Sequence, residues 1–387
     1  MNIPSRPRPR LISLRGNYHE ANFGDDALLI AAYALLQGLG RNIVVDGVVS
    51  YQDQRLAGLR SRDAAHEQAD LIVYGGGTQF FAFGNPSEAD AVPPASLLRR
   101  ILRKLTNPKE ILIGLRSRQG FHRDRQTPVI GIGLGIGPFV PGTTAAETAV
   151  AELVRRMKMV WVRDVVAAAF CRQHAVDTSV AGADLCFTTA FRDTVRFVDR
   201  PPPAAYGPSQ RVGIVLRDWF DLGPDFFVRM IAVAGQLRDR GIEVRFLSFA
   251  PSDRAYLSAL SAAGEEVLAW HAGYASIEIF WAEIAAHDLL VTSRFHGAIF
   301  ALLSGRPFIA INIEPKLESL ASMVPELSNL LLPPDASVDV MVEHILAALS
   351  TAADAKPALI AALACQRALA ATGESALKTF LESEFAQ

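Results

Sequence analysis

Short apolar runs alternate with longer amphipathic segments along the whole chain. Apolar runs rich in β-branched residues predict buried strands, whereas apolar residues three or four apart predict helices. Their regular alternation is typical of parallel sheets crossed by helices. In the first part of the chain, strands are expected near Leu11–Leu14, Ile43–Val49, Leu71–Tyr74, Val129–Leu134 and Val160–Val162. The intervening helices are expected near Asp26–Gly38, Ala145–Lys158 and Val165–His174.

A second series of the same kind follows a proline-rich segment. Four prolines and a glycine between positions 199 and 208 exclude a helix or a central strand there. We therefore predict an N-terminal domain over 1–198, a linker over 199–210 and a C-terminal domain with C-terminal helices over 211–387. The second set of strands is expected near Val212–Leu216, Val244–Phe249, Leu289–Thr292 and Phe308–Ile311. Its helices are expected near Asp225–Arg240, Ile277–Ala286, Gly297–Leu303 and from about Val338 to the end.

The two series together predict an α/β protein with two Rossmann-like domains that face each other across a cleft. In open α/β sheets, ligands bind outside the carboxyl ends of the strands. The ligand site is therefore expected in the cleft between the two domains.

The composition narrows the class of protein further. Of the 387 residues, 50% are apolar and 20% are charged, which suits a globular chain with large cores. The 38 basic and 40 acidic residues nearly cancel, so no global field favours binding to nucleic acid. The cysteines form no CxxC pair, and no metal site is expected. The chain carries neither an apolar signal-peptide core near its start nor a run of about 18 apolar residues, so we expect a cytoplasmic protein.

The segment containing Asn22 and Asp25 lies where the first strand should turn into its helix. Helix N-termini favour anions, but the charges of Asp25 and Asp26 would oppose a phosphate there. We therefore interpret Asn22 and Asp25 as facing a hydroxylic partner. The alternative is that they only cap the helix and supply its acidic first turn.

Three consecutive glycines, Gly75, Gly76 and Gly77, follow a buried strand. Their bare backbone would let a ligand approach closely and would offer N–H groups to an anion or a sugar. No Gly-Lys-Ser/Thr sequence follows, so the segment is not a P-loop. The alternating glycines from Gly131 to Gly137 make only a weak dinucleotide fingerprint, and close strand packing is the alternative there.

Arg163 and Arg217 each end a predicted strand and are each followed by an aspartate. A guanidinium at such a position can bind a carboxylate or a phosphate through two hydrogen bonds. The same arrangement in both predicted domains favours anion binding. A structural ion pair is the alternative for each arginine.

The most informative segment follows the strand Leu289–Thr292, where Arg294 and His296 open an apolar helix. A guanidinium, an imidazole and free backbone N–H groups converge there, which predicts an anion site containing a proton-transfer group. Lys316 follows the next strand and is predicted to supply a second cation to the same anion. The alternatives are a structural histidine and a lysine in a solvated turn.

The ordered set of these motifs resembles the polysaccharide pyruvyl transferase family from Asn17 to about Ala321. No single motif is specific to the family; the order and the spacing of the motifs are. The matching pieces are Asn22–Asp25, Gly75–Gly77, Gly135–Pro138, Val162–Asp164, Asp184 with Phe187, Arg217, Arg294–His296 and Pro315–Lys316.

The resemblance implies a GT-B-like fold and transfer of the pyruvyl group of phosphoenolpyruvate to two hydroxyls of one sugar. The products would be a cyclic ketal and phosphate, and no cofactor would be needed. The implied donor-binding residues are Arg163, Lys316, Arg294 and Arg217. His296 would be the general acid and Asp25 would engage the acceptor hydroxyl. The N-terminal domain would form the acceptor side of the cleft and the C-terminal domain the donor side. The acceptor would be a sugar of a polysaccharide or its precursor, with a lipid-linked sugar among the forms left open.

Residues 97–125 carry nine basic residues against Glu110 and Asp124, and their apolar residues line one helical face. Two interpretations stay open. The segment is either a crossover helix with a solvated basic face or a peripheral contact with the anionic inner face of a membrane. The second would suit a lipid-linked acceptor.

Three other functions remain as alternatives to pyruvyl transfer. A nucleotide-sugar glycosyltransferase is the first, because a GT-B fold does not fix the chemistry of the donor. A non-catalytic sensor of sugars or phosphates is the second. A dehydrogenase is disfavoured because a clear dinucleotide fingerprint is absent.

Overall fold

The computed structural model describes residues 6–7, 11–37, 42–46, 49–62, 69–82, 127–139, 143–196, 210–219, 222–223, 225–273, 275–325, 327 and 330–386. The basic segment 97–125 lies outside these residues, as does the predicted linker except for its last position. Both interpretations of the basic segment, and the domain boundaries, therefore stay predictions.

The N-terminal half of the chain forms a parallel sheet of seven strands. The strands of this half are β1 (Arg6–Pro7), β2 (Leu11–Arg15), β3 (Asn42–Asp46), β4 (Arg60–Arg62), β5 (Leu71–Ala82), β6 (Val129–Phe139), β7 (Met159–Val162) and β8 (Ser179–Ala181). The sheet has the order β4-β3-β2-β5-β6-β7-β8, and every neighbouring pair is parallel. Its helices are α1 (Phe23–Gln37), α2 (Thr144–Arg155), α3 (Val165–Gln173) and α4 (Thr189–Thr194).

The C-terminal half forms a second parallel sheet, of six strands. Its elements are β9 (Arg211–Val215), α5 (Asp225–Arg238), β10 (Glu243–Ser248), α6 (Arg254–Ala262), β11 (Val267–Ala269), α7 (Ile277–Ala285), β12 (Leu289–Thr292), α8 (Phe295–Leu303), β13 (Phe308–Ile311), α9 (Glu318–Met323), β14 (Leu331–Leu332), α10 (Val338–Ser350), α11 (Ala352–Glu384) and β15 (Phe385–Ala386). The sheet order is β11-β10-β9-β12-β13-β14. Strands β12 and β13 are buried along their whole length, as expected for strands covered on both faces.

The predicted architecture of two parallel-sheet α/β domains is confirmed, and each predicted strand is present. Two strands run further than expected, β5 to Ala82 and β6 to Phe139. The prediction that the buried strand ends at the glycine triplet is wrong, because Gly75 and Gly77 continue to pair with β6. Helix α6 and strand β11 were not predicted, because small and polar residues interrupt the apolar pattern there.

The long helix α11, of 33 residues, returns to the N-terminal sheet. It contacts β7 and β8, and a Cβ at Gly373 would lie 2.2 Å from an indole carbon of Trp161. The lack of a side chain at Gly373 is therefore what permits this close contact. The C-terminal helices were predicted as part of the C-terminal domain, and α11 contacts the N-terminal sheet as well as the helices α8 and α10 of the C-terminal half.

The start of α1 is anchored in the C-terminal half through Phe23. Its ring packs against four aromatic rings of that half, with centroid distances of 5.0, 5.1, 4.8 and 4.6 Å to Phe249, Trp270, Phe280 and Phe300. The amide of Phe23 also donates a hydrogen bond to the carbonyl of Phe249 at 2.9 Å. The two halves thus share an apolar core at the N-terminus of α1.

Asp26 makes a second contact between the halves, which gives the stability of the protein a predictable pH dependence. The fully buried Asp26 accepts a hydrogen bond from the indole N–H of Trp270 at 2.7 Å. Burial raises the pKa of Asp26 to about 7. The native state therefore binds a proton that the unfolded chain has already released, and its free energy of unfolding should fall from pH 4 to pH 7.

Substitution of Asp26 by Asn should remove this pH dependence. Relative to the wild type, Asp26→Asn should gain about 1 kcal/mol of stability per pH unit between pH 4 and pH 7. Urea denaturation at several pH values measures the difference. A constant offset between the two proteins across that range would contradict the assignment.

Among the described residues, no single helix is long and apolar enough to cross a membrane. The pair α10 and α11 meets that length and composition only when taken together, and it bends by 78° between its two helices.

Candidate active site

A cavity of about 640 Å³ lies between the carboxyl ends of the two sheets. Both halves of the chain contribute to its walls. All of the sequence-predicted site residues except Gly75 and Gly76 line it, namely Asn22, Asp25, Gly77, Arg163, Arg217, Arg294, His296 and Lys316. The fold thus brings together side chains that the sequence separates by nearly 300 positions, at the edge where ligands bind in such sheets.

The glycine triplet contributes mainly to packing. A Cβ at Gly75 would lie 2.5 Å from a methyl group of Leu14, and one at Gly76 would lie 2.9 Å from a methyl group of Leu28. Neither glycine is among the residues that line the cavity, and their contact with a substrate stays a prediction. Gly77 lies on the wall with a φ of 76°, in the left-handed region that glycine favours.

Arg163 follows β7 and is held by several partners at once. Its guanidinium donates to Asp184 at 3.0 Å, to the hydroxyl of Thr78 at 2.8 Å and to Asp164 at 3.3 Å. It also lies over the ring of Phe295, 4.2 Å from the centroid. Arg163 therefore makes the structural ion pairs that the sequence left as an alternative, and it lines the cavity as well.

The other cations also face buried carboxylates. Arg294 pairs with Asp253. Arg217 and Lys316 both contact one carboxylate, that of Glu314, at 3.0 and 2.9 Å. Two cations on one carboxylate leave an excess of positive charge at this point of the cavity. The arrangement can therefore bind an anionic ligand there.

Burial lowers the pKa of both cations beside Glu314. Desolvation lowers the pKa of Lys316 to about 8, although the Glu314 carboxylate opposes the shift. Desolvation also lowers the pKa of Arg217. At neutral pH Lys316 still carries its proton, but it is close enough to its pKa to lose that proton under mildly alkaline conditions.

Asp25 lies in the first turn of α1 and faces the cavity. Burial raises its pKa, while four groups oppose the shift, namely His296, Arg294, Lys316 and Arg163. A carboxylate whose pKa is raised is a stronger base than an exposed one. Asp25 is therefore suited to accept a proton from a hydroxyl group, and its contact with an acceptor stays a prediction.

His296 is the second residue of α8 and lies where the two halves meet. Its Nε2 is 3.6 Å from a carboxylate oxygen of Asp184. On its other side the ring lies against Gly24 at the start of α1, where a Cβ would be 2.4 Å from Nδ1. The imidazole thus fits between two features of the N-terminal half, and Gly24 provides the space.

Substitution of Gly24 by Ala should destabilise the protein because the new methyl group collides with the ring of His296. We expect a loss of about 1 to 3 kcal/mol in the free energy of unfolding. Gly235, in helix α5, has nothing within 4 Å of an added Cβ. Gly235→Ala is therefore the matched control and should be neutral or stabilising. Urea denaturation measures both, and equal effects would contradict the proposed collision.

Three carboxylates of the site were not predicted as site residues: Asp184, Asp253 and Glu314. Asp184 was part of the family resemblance but received no role. Glu314 was noted only as a neighbour of Lys316. Asp253 lies in a segment that has no clear pattern of apolar residues. A useful signal would have been that several buried cations in one cleft require buried carboxylates beside them.

The two parallel-sheet α/β domains, with a cavity between the carboxyl ends of their strands, are similar to solved structures with a GT-B fold. A UDP-N-acetylglucosamine 2-epimerase from Rickettsia bellii matches with a TM-score of 0.56 at 9% identity, covering 96% of each chain. HepE from Anabaena, solved with UDP-glucose, matches with a TM-score of 0.55 at 12% identity, covering 95% of this chain and 98% of that one. MnaA from S. aureus, solved with UDP, matches with a TM-score of 0.55 at 10% identity, covering 96% of each chain.

The family is shown by the sequence. The model of the family described as polysaccharide pyruvyl transferase matches residues 22–315, and the chain belongs to that family. It is therefore an enzyme of the transferase class. No curated protein matches the chain.

Proposed function

We propose that this protein transfers the pyruvyl group of phosphoenolpyruvate to two hydroxyls of one sugar in a polysaccharide or its precursor. The products are a cyclic ketal and inorganic phosphate. The observation that carries the proposal is the convergence of four cations, an imidazole and several carboxylates in one cavity, where two of the cations share the single carboxylate of Glu314. These are the groups that an anionic donor and a hydroxylic acceptor require.

Each step of the reaction has a group suited to it. Lys316 and Arg217 bind the phosphate of the donor. Arg294 and Arg163 bind its carboxylate. His296 gives a proton to the enol methylene, which becomes a methyl group, and the carbon beside it becomes electrophilic. A sugar hydroxyl attacks that carbon while Asp25 accepts its proton. The second hydroxyl then attacks the same carbon as the bond from that carbon to the phosphate oxygen breaks, and its proton returns His296 to the acidic form. The proton held by Asp25 passes to the departing phosphate, so both residues regain their starting states.

This scheme uses no cofactor and needs only the two substrates. We place the reaction in the cytoplasm, on sugars destined for an exopolysaccharide. A lipid-linked acceptor at the inner face of the membrane would agree with a membrane role for residues 97–125. Binding of the purified protein to anionic vesicles at low salt, with and without that segment, tests this part separately.

The charge on Lys316 makes donor binding depend on pH. Because burial lowers the pKa of Lys316 to about 8, the affinity for phosphoenolpyruvate should fall as the pH rises through 8. Calorimetric titration from pH 7 to pH 9.5 measures the dissociation constant. A Lys316→Met variant should bind weakly without this inflection, whereas an inflection that persists in the variant would assign it to another group.

A nucleotide-sugar glycosyltransferase is the second candidate, because HepE, which is similar in fold, was solved with UDP-glucose. The two candidates predict different ligands. Ligands that bind only the native state raise its melting temperature, so thermal denaturation with phosphoenolpyruvate or with UDP-glucose separates them.

In this test, stabilisation by phosphoenolpyruvate that is lost in Lys316→Ala supports pyruvyl transfer. The matched control is Lys378→Ala, because Lys378 is 74% exposed on α11 and contacts only Glu382 among the ion pairs of the described residues. This control should retain the stabilisation. Stabilisation by UDP-glucose alone would overturn the proposal in favour of the glycosyltransferase.

A further inference from the structure

We propose that Asp184 is the positioning residue of His296, and that it holds the imidazole from the opposite domain so that the proton donor is complete only where the two domains meet. The role of His296 as proton donor rests on the function proposed above. The position of Asp184, and its influence on the ring, rest on the geometry alone.

Asp184 is a fully buried carboxylate at the start of the short turn Leu185–Phe187 in the N-terminal half. One of its oxygens accepts a hydrogen bond from the amide of Cys186 at 3.1 Å. The other accepts from Arg163 at 3.0 Å and faces Nε2 of His296 at 3.6 Å. Two fixed donors thus orient the carboxylate towards the ring.

Nε2 of His296 is buried, and no other group of the described residues forms a hydrogen bond with it. Asp184 is consequently the natural hydrogen-bond partner of Nε2. A small movement of either side chain would shorten the 3.6 Å between Nε2 and the carboxylate oxygen to the length of a hydrogen bond. With Nε2 held in this way, Nδ1 is the nitrogen that serves the substrate. The ring packs closely on Gly24 beside Nδ1, and any side chain at position 24 would collide with the ring.

The residues around Asp184 keep its carboxylate ionised. Although burial opposes ionisation, His296 and Arg163 hold the pKa of Asp184 below its usual range. The carboxylate is therefore an anion at every working pH, and a fixed anion favours the protonated form of a neighbouring imidazole. The other titratable and charged groups that surround the ring are Asp25, Cys186, Arg163, Arg294 and Lys316.

The same geometry raises the alternative that Asp184, Cys186 and His296 bind a metal ion. The chemistry of these three side chains disfavours that alternative. Single ligand atoms of Asp184, Cys186 and His296 lie within 4.8 Å of one another. However, the Arg163 guanidinium already bonds to Asp184 and places a positive charge beside it. Burial also raises the pKa of the Cys186 thiol well above its usual value, and only the thiolate is a good metal ligand.

The pair of Asp184 and His296 is significant because its two members come from different halves of the chain. Asp184 and Gly24 belong to the N-terminal half, and His296 begins a helix of the C-terminal half. The proton donor is therefore complete only where the two halves pack together, beside the apolar core that Phe23 forms with the C-terminal half.

Asp184→Asn tests the proposal, and Asp164→Asn is its matched control. Both aspartates contact Arg163, and both accept a backbone N–H at the start of a helical turn. Only Asp184 faces His296. The asparagine keeps the shape and the capping oxygen in each case, so the comparison isolates the charge beside the imidazole.

The first readout needs no substrate. In protein labelled with 15N-histidine, the ring signals of His296 are those lost in His296→Gln, and their change with pH reports its protonation. We expect the midpoint of that change to move to lower pH in Asp184→Asn and to stay near the wild-type value in Asp164→Asn. Asp184→Glu, which retains the charge, should restore the midpoint.

The second readout is activity. We expect kcat to fall about 10²-fold in Asp184→Asn, with the alkaline limb of the pH profile at lower pH and the donor KM little changed. The Asp164→Asn variant should keep the wild-type pH profile. Thermal denaturation of all variants shows whether each is folded before it is compared.

Two results would overturn the proposal. One is an unchanged midpoint of the His296 signals in folded Asp184→Asn, which would make Asp184 a structural partner of Arg163 alone. The other is loss of activity on chelation and recovery with a divalent metal, which would make the cluster a metal site. Failure of phosphoenolpyruvate to bind the wild type would overturn the proposed function, yet the ring signals would still test the pairing.

Discussion

Replacing His296 by glutamine should lower kcat by about 10²- to 10⁴-fold, the usual contribution of a positioned general acid. Glutamine fills a similar space beside Gly24 but cannot deliver a proton to the enol methylene. Donor binding depends on Lys316 and its neighbours, so the KM for phosphoenolpyruvate should change little. Steady-state kinetics that follow phosphate release give both constants.

His174→Gln is the control for this prediction. His174 also pairs with a carboxylate, that of Glu147 at 2.9 Å, but it does not line the cavity. Its substitution should leave kcat unchanged. A His296→Gln enzyme that retained more than about a tenth of the wild-type kcat would remove His296 from the proton transfer.

Replacing Lys316 by methionine should raise the KM for phosphoenolpyruvate by about 10- to 100-fold. A hydrogen bond to a charged group contributes about 1.5 to 3 kcal/mol, and Lys316 supplies such a bond where positive charge exceeds negative. Methionine fills a similar volume, and Glu314 keeps Arg217 as its partner at 3.0 Å. The fold should therefore survive the substitution, which thermal denaturation verifies.

Lys378→Met, on the exposed face of α11, should leave the KM unchanged. If Lys316→Met lowered kcat but left the donor KM at the wild-type value, Lys316 would act in the chemical step rather than in donor binding. That outcome would contradict the assignment of the phosphate to the Lys316 and Arg217 pair.

The fold was largely predictable because its signals are local. Buried strands such as Leu289–Thr292 are short apolar runs, and each precedes an amphipathic segment. The position of Arg294 and His296 at a strand-to-helix junction follows from that pattern, since parallel strands end at one edge of the sheet. The lining of the cavity could therefore be predicted in good part from the order of the elements.

The partners of these residues were not predictable in the same way. Asp184 and His296 are 112 positions apart and meet only where the two halves pack together. The periodicity of the sequence contains no information about such a contact. For the same reason, the close packing of Leu14 and Leu28 against Gly75 and Gly76 could not be predicted from the sequence. The return of α11 to the N-terminal sheet was missed because helical periodicity does not indicate which sheet a helix will cover.

A crystal structure of the wild-type enzyme with phosphoenolpyruvate tests the central claim most directly. The proposed function predicts that the phosphate contacts Lys316 and Arg217, and that the methylene carbon lies about 3 to 3.5 Å from the imidazole of His296, in reach for proton transfer. Phosphoenolpyruvate bound outside this cavity, or bound in it with its methylene group turned away from His296, would contradict the account.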